Sequence, residues 1–202
     1  MEVDVMTQFT ALDKFVKDGN GYLYVPAVTK AGISRTVLGR YVKERKMERV
    51  GHGLYLSQDA WEDFVYQIAL THKGIIFSHE TALYLHGLME REPSRECITV
   101  PTGHNASHLA KKGVKVHHMK AELAGEGVSV LKTPFGNPVP VYDAERTICD
   151  IIRNKKNMDI QVFVYAIKEY MRRKEKDVFK LMSYAKEFRM ESAVRTYTEV
   201  LL

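Results

Sequence analysis

Residues 31–55 read AGISRTVLGRYVKERKMERVGHGLY, and the fold of the chain turns on this stretch. Ala31 and Gly32 make a tight turn. Ser34 then stands where its hydroxyl can cap a helix by accepting from a free N–H of the first turn. Arg35 to about Lys46 can wind continuously, with no proline and only Gly39 as a weak point. Leu38, Tyr41 and Val42 share the inner face, so Arg35, Thr36, Arg40 and Lys43 project to solvent. Met47–Val50 and Leu54–Leu56 flank Gly51, His52 and Gly53, a glycine-bracketed turn between two short strands.

Working back from the basic helix, Phe9, Leu12, Phe15 and Val16 recur at three- and four-residue spacing between Met6 and Lys17, which predicts an amphipathic first helix. Asp18, Gly19, Asn20 and Gly21 stop it. Tyr22–Tyr24 forms a short extended segment, and a second helix runs from about Pro26, a residue at ease in a first helical turn, to Lys30. Helix, helix, turn, basic helix and hairpin is the order of a winged helix-turn-helix. In that reading Arg35, Thr36, Arg40 and Lys43 are the recognition-helix candidates. A small helical domain with a solvated basic face is the alternative.

Charge favours the first reading. The chain carries a net charge of +5, and between Lys30 and His52 seven basic residues (Lys30, Arg35, Arg40, Lys43, Arg45, Lys46, Arg49) face only Glu44 and Glu48. This segment alone holds an excess equal to that of the whole protein. Lysine and arginine neutralise phosphates and release counterions, and a forked arginine can read the O6 and N7 edge of guanine.

The 202 residues are enough for two small domains, and 45% apolar with 27% charged residues is an ordinary globular composition. No apolar run is long enough to span a bilayer, so no membrane partner is expected. The start, MEVDVMTQFTALDKF, lacks the basic and apolar regions of a signal peptide, which predicts a cytoplasmic protein. Cys97 and Cys149 lie far apart without a CxxC spacing and read as buried small hydrophobes.

Beyond the hairpin, residues 58–73 predict a connecting helix with Trp61, Phe64, Val65, Ile68 and Ala69 on one side. The texture then changes. Ile75–Phe77 predicts a buried strand, and Ser78 is placed to cap the helix that SHETALYLHGL opens. Further strands are expected at Ile98–Val100, Val114–His118, Val128–Leu131 and Val139–Tyr142. Helical spacing returns from Asp143 and ends in a short helix near Ser192–Leu202. The class is α+β: a winged helix-turn-helix domain over residues 1–57, the connector over 58–73, and a mixed α/β domain over 74–202, with a small sheet and then helices.

Little here points to catalysis. His104, His108, His117 and His118 gather without HExxH or paired CxxC spacing, so no metal site and no cofactor are expected. His79 and Glu80, or Asp143, Glu145 and Asp150, could supply acid and base groups. Helix starts explain Ser78 and Asp143 better, since carboxylates in a first turn complement the helix dipole. Arg146 can pair with Glu145, Asp150 or a residue elsewhere. There is no phosphate loop, nucleophile elbow or dinucleotide fingerprint, and no enzyme is expected.

Four stretches taken in order, GISRTVLGRYVKERKMERVGHGLYL, FSHETALYLHGLMEREP, ITVPTGHNASHL and VYDAERTICDIIR, resemble the AbiEi family of antitoxins from bacterial abortive-infection toxin-antitoxin systems. The resemblance runs from about Thr7 to Tyr184. It implies a bifunctional protein whose winged helix represses its own operon at inverted repeats, while the second domain opposes a nucleotidyltransferase-like toxin without forming a stable complex with it. Two copies of a solution monomer would then pair on DNA. The recognition role falls on Ser34, Arg35, Thr36, Arg40 and Lys43, with Arg49 and His52 on the wing. Ser78, His79, Glu80 and Thr81, then His104 and Asn105, then Asp143, Glu145, Arg146 and Asp150, match the hallmarks of the second domain. The resemblance assigns them no chemical step; Glu80 and Arg146 are candidates for buried polar partners. A winged-helix regulator with a ligand-sensing second domain is the competing reading, and a DNA-processing enzyme a third.

Overall fold

The computed structural model describes residues 2–198, with side chains from residue 6 onward. Two compact units divide between Lys73 and Gly74. In the first, helix α1 (Glu2–Asp18) leads through strand β1 (Tyr22–Tyr24) to helices α2 (Val25–Lys30) and α3 (Arg35–Glu44). Strands β2 (Glu48–Gly51) and β3 (Leu54–Leu56) and helix α4 (Phe64–Thr71) complete it.

Helix α1 stops where the sequence places a stop: Asn20 and Gly21 take left-handed backbone angles, and Gly21 N donates to Val16 O. The hairpin β2–β3 is antiparallel, with an irregularity between Arg49 and Gly51, and Gly53 turns it at positive φ. Tyr22–Tyr24 does more than extend. It pairs antiparallel with β3, making a three-stranded sheet in the order β1-β3-β2. Leu12, Leu23, Val28, Ile33, Leu38, Tyr41 and Met47 form the core beneath.

The connecting helix is shorter than residues 58–73. Asp63 accepts a hydrogen bond from Tyr66 N and so fixes the start of α4 at Phe64, leaving Trp61 ahead of it and exposed. Tyr66 and Leu70 pack on Tyr22, Leu54 and Leu56, so this helix belongs to the first unit rather than bridging two.

The second unit mixes strands and helices. Its strands are β4 (Ile76–Phe77), β5 (Cys97–Pro101), β6 (Lys115–Met119), β7 (Val128–Lys132) and β8 (Pro138–Tyr142). They form one sheet in the order β6-β5-β4-β8-β7, parallel between β5 and β6 and between β4 and β8, antiparallel elsewhere. Helices α5 (His79–Leu85), α6 (Ser107–Lys111) and α7 (Ala121–Ala124) interrupt the strands, so the sheet is not completed before helices begin.

Helices α8 (Ala144–Asn154), α9 (Ile160–Arg172), α10 (Val178–Glu187) and α11 (Glu191–Thr198) follow. The last corresponds to the helix expected near Ser192–Leu202, of which residues 199–202 lie outside the described residues. Leu83, Ile148, Ile151, Phe163, Ile167 and Leu181 are among the core they share. Both cysteines are free and buried. Among the described residues no helix is long and apolar enough to cross a membrane.

Candidate functional site

The basic face lies on α3 and the hairpin. Ser34 Oγ accepts from Val37 N at 3.3 Å, which fixes where the helix begins. With Leu38 and Tyr41 buried beneath, Ser34, Arg35, Thr36, Arg40 and Lys43 are all exposed, as are Arg49 and His52 on the hairpin. Arg40 pairs with Glu44 one turn on (2.7 Å), and Arg49 Nε donates to Gly51 O (3.3 Å). Arg35 and Lys43 have no ion-pair partner among the described residues. Tyr41 Oη and Arg45 both bond Asp13, anchoring the inner side of α3 to α1.

The Asp143–Asp150 stretch turns inward instead. Asp143 accepts from Arg146 N (2.8 Å) and so caps α8; its other oxygen takes Tyr184 Oη (2.9 Å) and Lys180 Nζ (3.0 Å). Buried Glu145 accepts from Tyr170 Oη and Asp177 N, joining α8 to the start of α10. Arg146 is wholly buried. Its Nε donates to both Asp150 oxygens, and its Nη1 to the carbonyls of Leu123 and Glu126. The rings of Tyr142 and Phe188 lie 4.2 and 4.3 Å from the guanidinium carbon. These residues organise the packing of α8.

The SHET stretch lies where α5 meets β5 and β6. Ser78 precedes α5, yet its hydroxyl makes no cap: it accepts from Thr99 Oγ1 (2.9 Å) and bonds His79 Nδ1 (3.0 Å), drawn away by the neighbouring strand. His79 has φ +48, uncommon for a non-glycine residue, and its ring stacks on His117 with centroids 3.5 Å apart and planes 9° from parallel. Such conformations persist where the surroundings hold them, and they concentrate at functional sites. Burial holds the His79 imidazole well below its ordinary pKa, with the neighbouring His117, Lys115 and Arg146 acting the same way; burial also lowers His117, to about 4.

Glu80 and Arg146 are separate polar centres, not partners of each other. Glu80 Oε1 accepts from Lys115 (3.2 Å) and Oε2 from the Cys97 thiol (3.1 Å). Burial pushes this carboxyl up, but the hydrogen bonds from Cys97 and its own backbone N–H, with the charge of Lys115, bring it below the usual range. Burial, then the carboxylate beside it, pushes the Cys97 thiol up. Thr81 Oγ1 donates to Glu96 and accepts from Cys97 N, tying α5 to the start of β5.

A polar cleft of about 130 Å³ adjoins this face, lined by His79, Thr99, His117, Asp150, Arg153 and Asn154 among others. His104 and Asn105 are not part of it. Both are exposed in the loop before α6, where Asn105 accepts from Ser107 N. His108 and His118 are exposed too. Cys97, Lys115 and His117, absent from the sequence reading of this site, are brought in by the parallel register that sets Cys97 beside Lys115 and Thr99 beside His117. Their alternate spacing in CIT and KVH puts each pair on one face of its strand, which is the signal the sequence holds.

No family model and no curated protein matches this chain. Its structure is similar to the crystal structure of the RV2827C protein from Mycobacterium tuberculosis, with a TM-score of 0.56 at 13% identity, over 97% of this chain and 80% of that one. At that identity the likeness is one of fold, spanning both units.

Proposed function

We propose that this chain is an AbiEi-type antitoxin that acts in the cytoplasm, represses its own operon as a winged helix-turn-helix protein, and opposes a nucleotidyltransferase-like toxin. The observation that carries the DNA-binding part is the face of α3. Arg35, Thr36, Arg40 and Lys43 are exposed above a buried Leu38 and Tyr41, and Arg49 and His52 follow on a hairpin. The three-stranded sheet in the order β1-β3-β2, in which β2 and β3 form the hairpin, supports reading that hairpin as a wing. The antitoxin part rests on the four sequence motifs that resemble the family.

On this reading monomers pair on inverted repeats, α3 enters the major groove, and the hairpin reaches the flanking backbone. A regulator with a ligand-sensing second unit is the second reading, favoured by the polar cleft beside His79 and His117. Co-expression separates the two. Growth arrest by a neighbouring nucleotidyltransferase-like toxin should be relieved by this chain, and fluorescence anisotropy should show tighter binding to its own promoter than to a scrambled duplex of equal length. Persistent arrest sinks the antitoxin reading, and equal binding to both duplexes sinks the operator.

A further inference from the structure

Glu80, Cys97 and His117 bring a carboxylate, a thiol and an imidazole together, with one ligand atom from each lying within 4.8 Å of the other two. We propose that these three residues bind one thiophilic divalent cation of the zinc class. This inference does not depend on the proposed function. The donors come from rigid elements: Cys97 from β5, His117 from β6 on the same sheet face, and Glu80 from α5 packed against β5.

Each donor is prepared for the role by what surrounds it. Lys115 occupies Glu80 Oε1 and leaves Oε2 turned to the Cys97 sulfur. Stacking on His79 fixes the ring of His117, and its Nε2 is buried with no hydrogen-bond partner among the described residues. A buried imidazole nitrogen without a partner forfeits a hydrogen bond that a coordination bond would replace. Of the three donors, His117 also lines the polar cleft.

The donor set selects the metal. Thiolate with imidazole and a single carboxylate oxygen suits zinc and cobalt and is poor for magnesium or calcium, which take oxygen ligands. Tetrahedral bonds of about 2.0–2.3 Å put ligand atoms roughly 3.3–3.8 Å apart, so separations within 4.8 Å need close by no more than about 1–1.5 Å, a side-chain adjustment, and Cys97 Sγ and Glu80 Oε2 are already 3.1 Å apart. A water would fill the fourth position. Binding replaces the proton now shared between Cys97 Sγ and Glu80 Oε2 with the cation, so one proton leaves for each ion bound.

The test is a cobalt(II) titration of the full, reduced, metal-free chain, followed by zinc competition. A thiolate-to-cobalt charge-transfer band should saturate at one ion per chain, vanish in Cys97→Ala and persist in Cys149→Ala. His117→Gln should weaken binding by tenfold or more, and magnesium should not compete. No band, a band that survives loss of Cys97, or one lost equally with Cys149, overturns the site. Unchanged affinity in His117→Gln removes that ligand and with it the proposal. Should Cys97→Ala fail to fold by circular dichroism, calorimetry on the unaltered chain in two buffers of different protonation enthalpy decides. About one proton released per zinc supports the site, and none overturns it.

Discussion

Arg146 and Asp150 stand one turn apart on α8 and pair at 3.1 Å with side chains only 0% and 3% exposed. The two partners are unequal. Arg146 also holds the carbonyls of Leu123 and Glu126 and lies between two aromatic rings, whereas Arg146 is the one side chain that hydrogen-bonds Asp150 among the described residues. Removing the arginine strands a buried carboxylate and empties the space between the rings. Arg146→Met should cost about 3–5 kcal/mol in urea unfolding. Asp150→Asn keeps the volume and leaves the guanidinium its carbonyls and rings, so its cost should be smaller, about 1.5–3 kcal/mol, the net value of hydrogen bonds to a charged group. Equal losses would show that the pair, not the arginine, is the organising group.

Asp150 also makes stability depend on pH. Burial raises its carboxyl to about 6, against the pull of Arg146 and Arg153 and with a small push from Asp143. A carboxyl raised on folding adds stability that is fully present below its unfolded value of about 4 and is lost as pH rises through about 6. A shift of two pH units corresponds to about 3 kcal/mol at most. A carbon-13 titration of the Asp150 carboxyl should therefore show its midpoint near 6. Asp150→Asn should flatten the dependence of stability on pH between those limits relative to the parent. A midpoint near 4 would mean that the arginine outweighs burial.

Gly127 tests the same packing from the other side. Its φ is +76, and a Cβ there would lie 2.8 Å from Arg146 Cβ and 3.1 Å from Tyr184 Oη. The contact is with the stem of a buried side chain, not a flexible tip. Gly127→Ala should lower stability by about 1–3 kcal/mol, from positive φ and the clash together. A melting temperature unchanged from the parent would show that the turn before β7 can move away from α8.

The local elements were legible because their signals are local. Ser34 and Asp143 cap the helices their positions predict, and Leu38 and Tyr41 bury as their spacing requires. What failed to read was set by partners distant in sequence. Ser78 has a capping residue's identity and position, but Thr99, twenty-one residues on, takes its hydroxyl. Tyr22–Tyr24 looks like a bare extended link until Leu54–Leu56 pairs with it. Glu80, Cys97 and His117 are scattered along the chain, and it takes the parallel register of β5 and β6 together with the packing of α5 on β5 to bring them together. Trp61 looks like part of an amphipathic face, yet the Asp63 cap starts the helix beyond it.

If the N-terminal unit binds DNA as proposed, folding and DNA contact can be separated residue by residue. Ser34 accepts a hydrogen bond from Val37 N, so Ser34→Ala should destabilise this unit by about 1 kcal/mol before any DNA is added. Arg35 is exposed and has no ion-pair partner among the described residues, so Arg35→Ala should leave the melting curve within about 0.5 kcal/mol of the parent. If Arg35 reads a base edge, its loss should weaken operator binding by about 1–3 kcal/mol and relax preference at one position. Lys43→Ala should instead weaken all duplexes alike and reduce the salt slope by about 1, as a lost phosphate contact does. Anisotropy titrations over a range of salt concentrations measure both quantities. Operator affinity unchanged in both Arg35→Ala and Lys43→Ala, with folding intact, would remove the exposed face of α3 from the DNA interface.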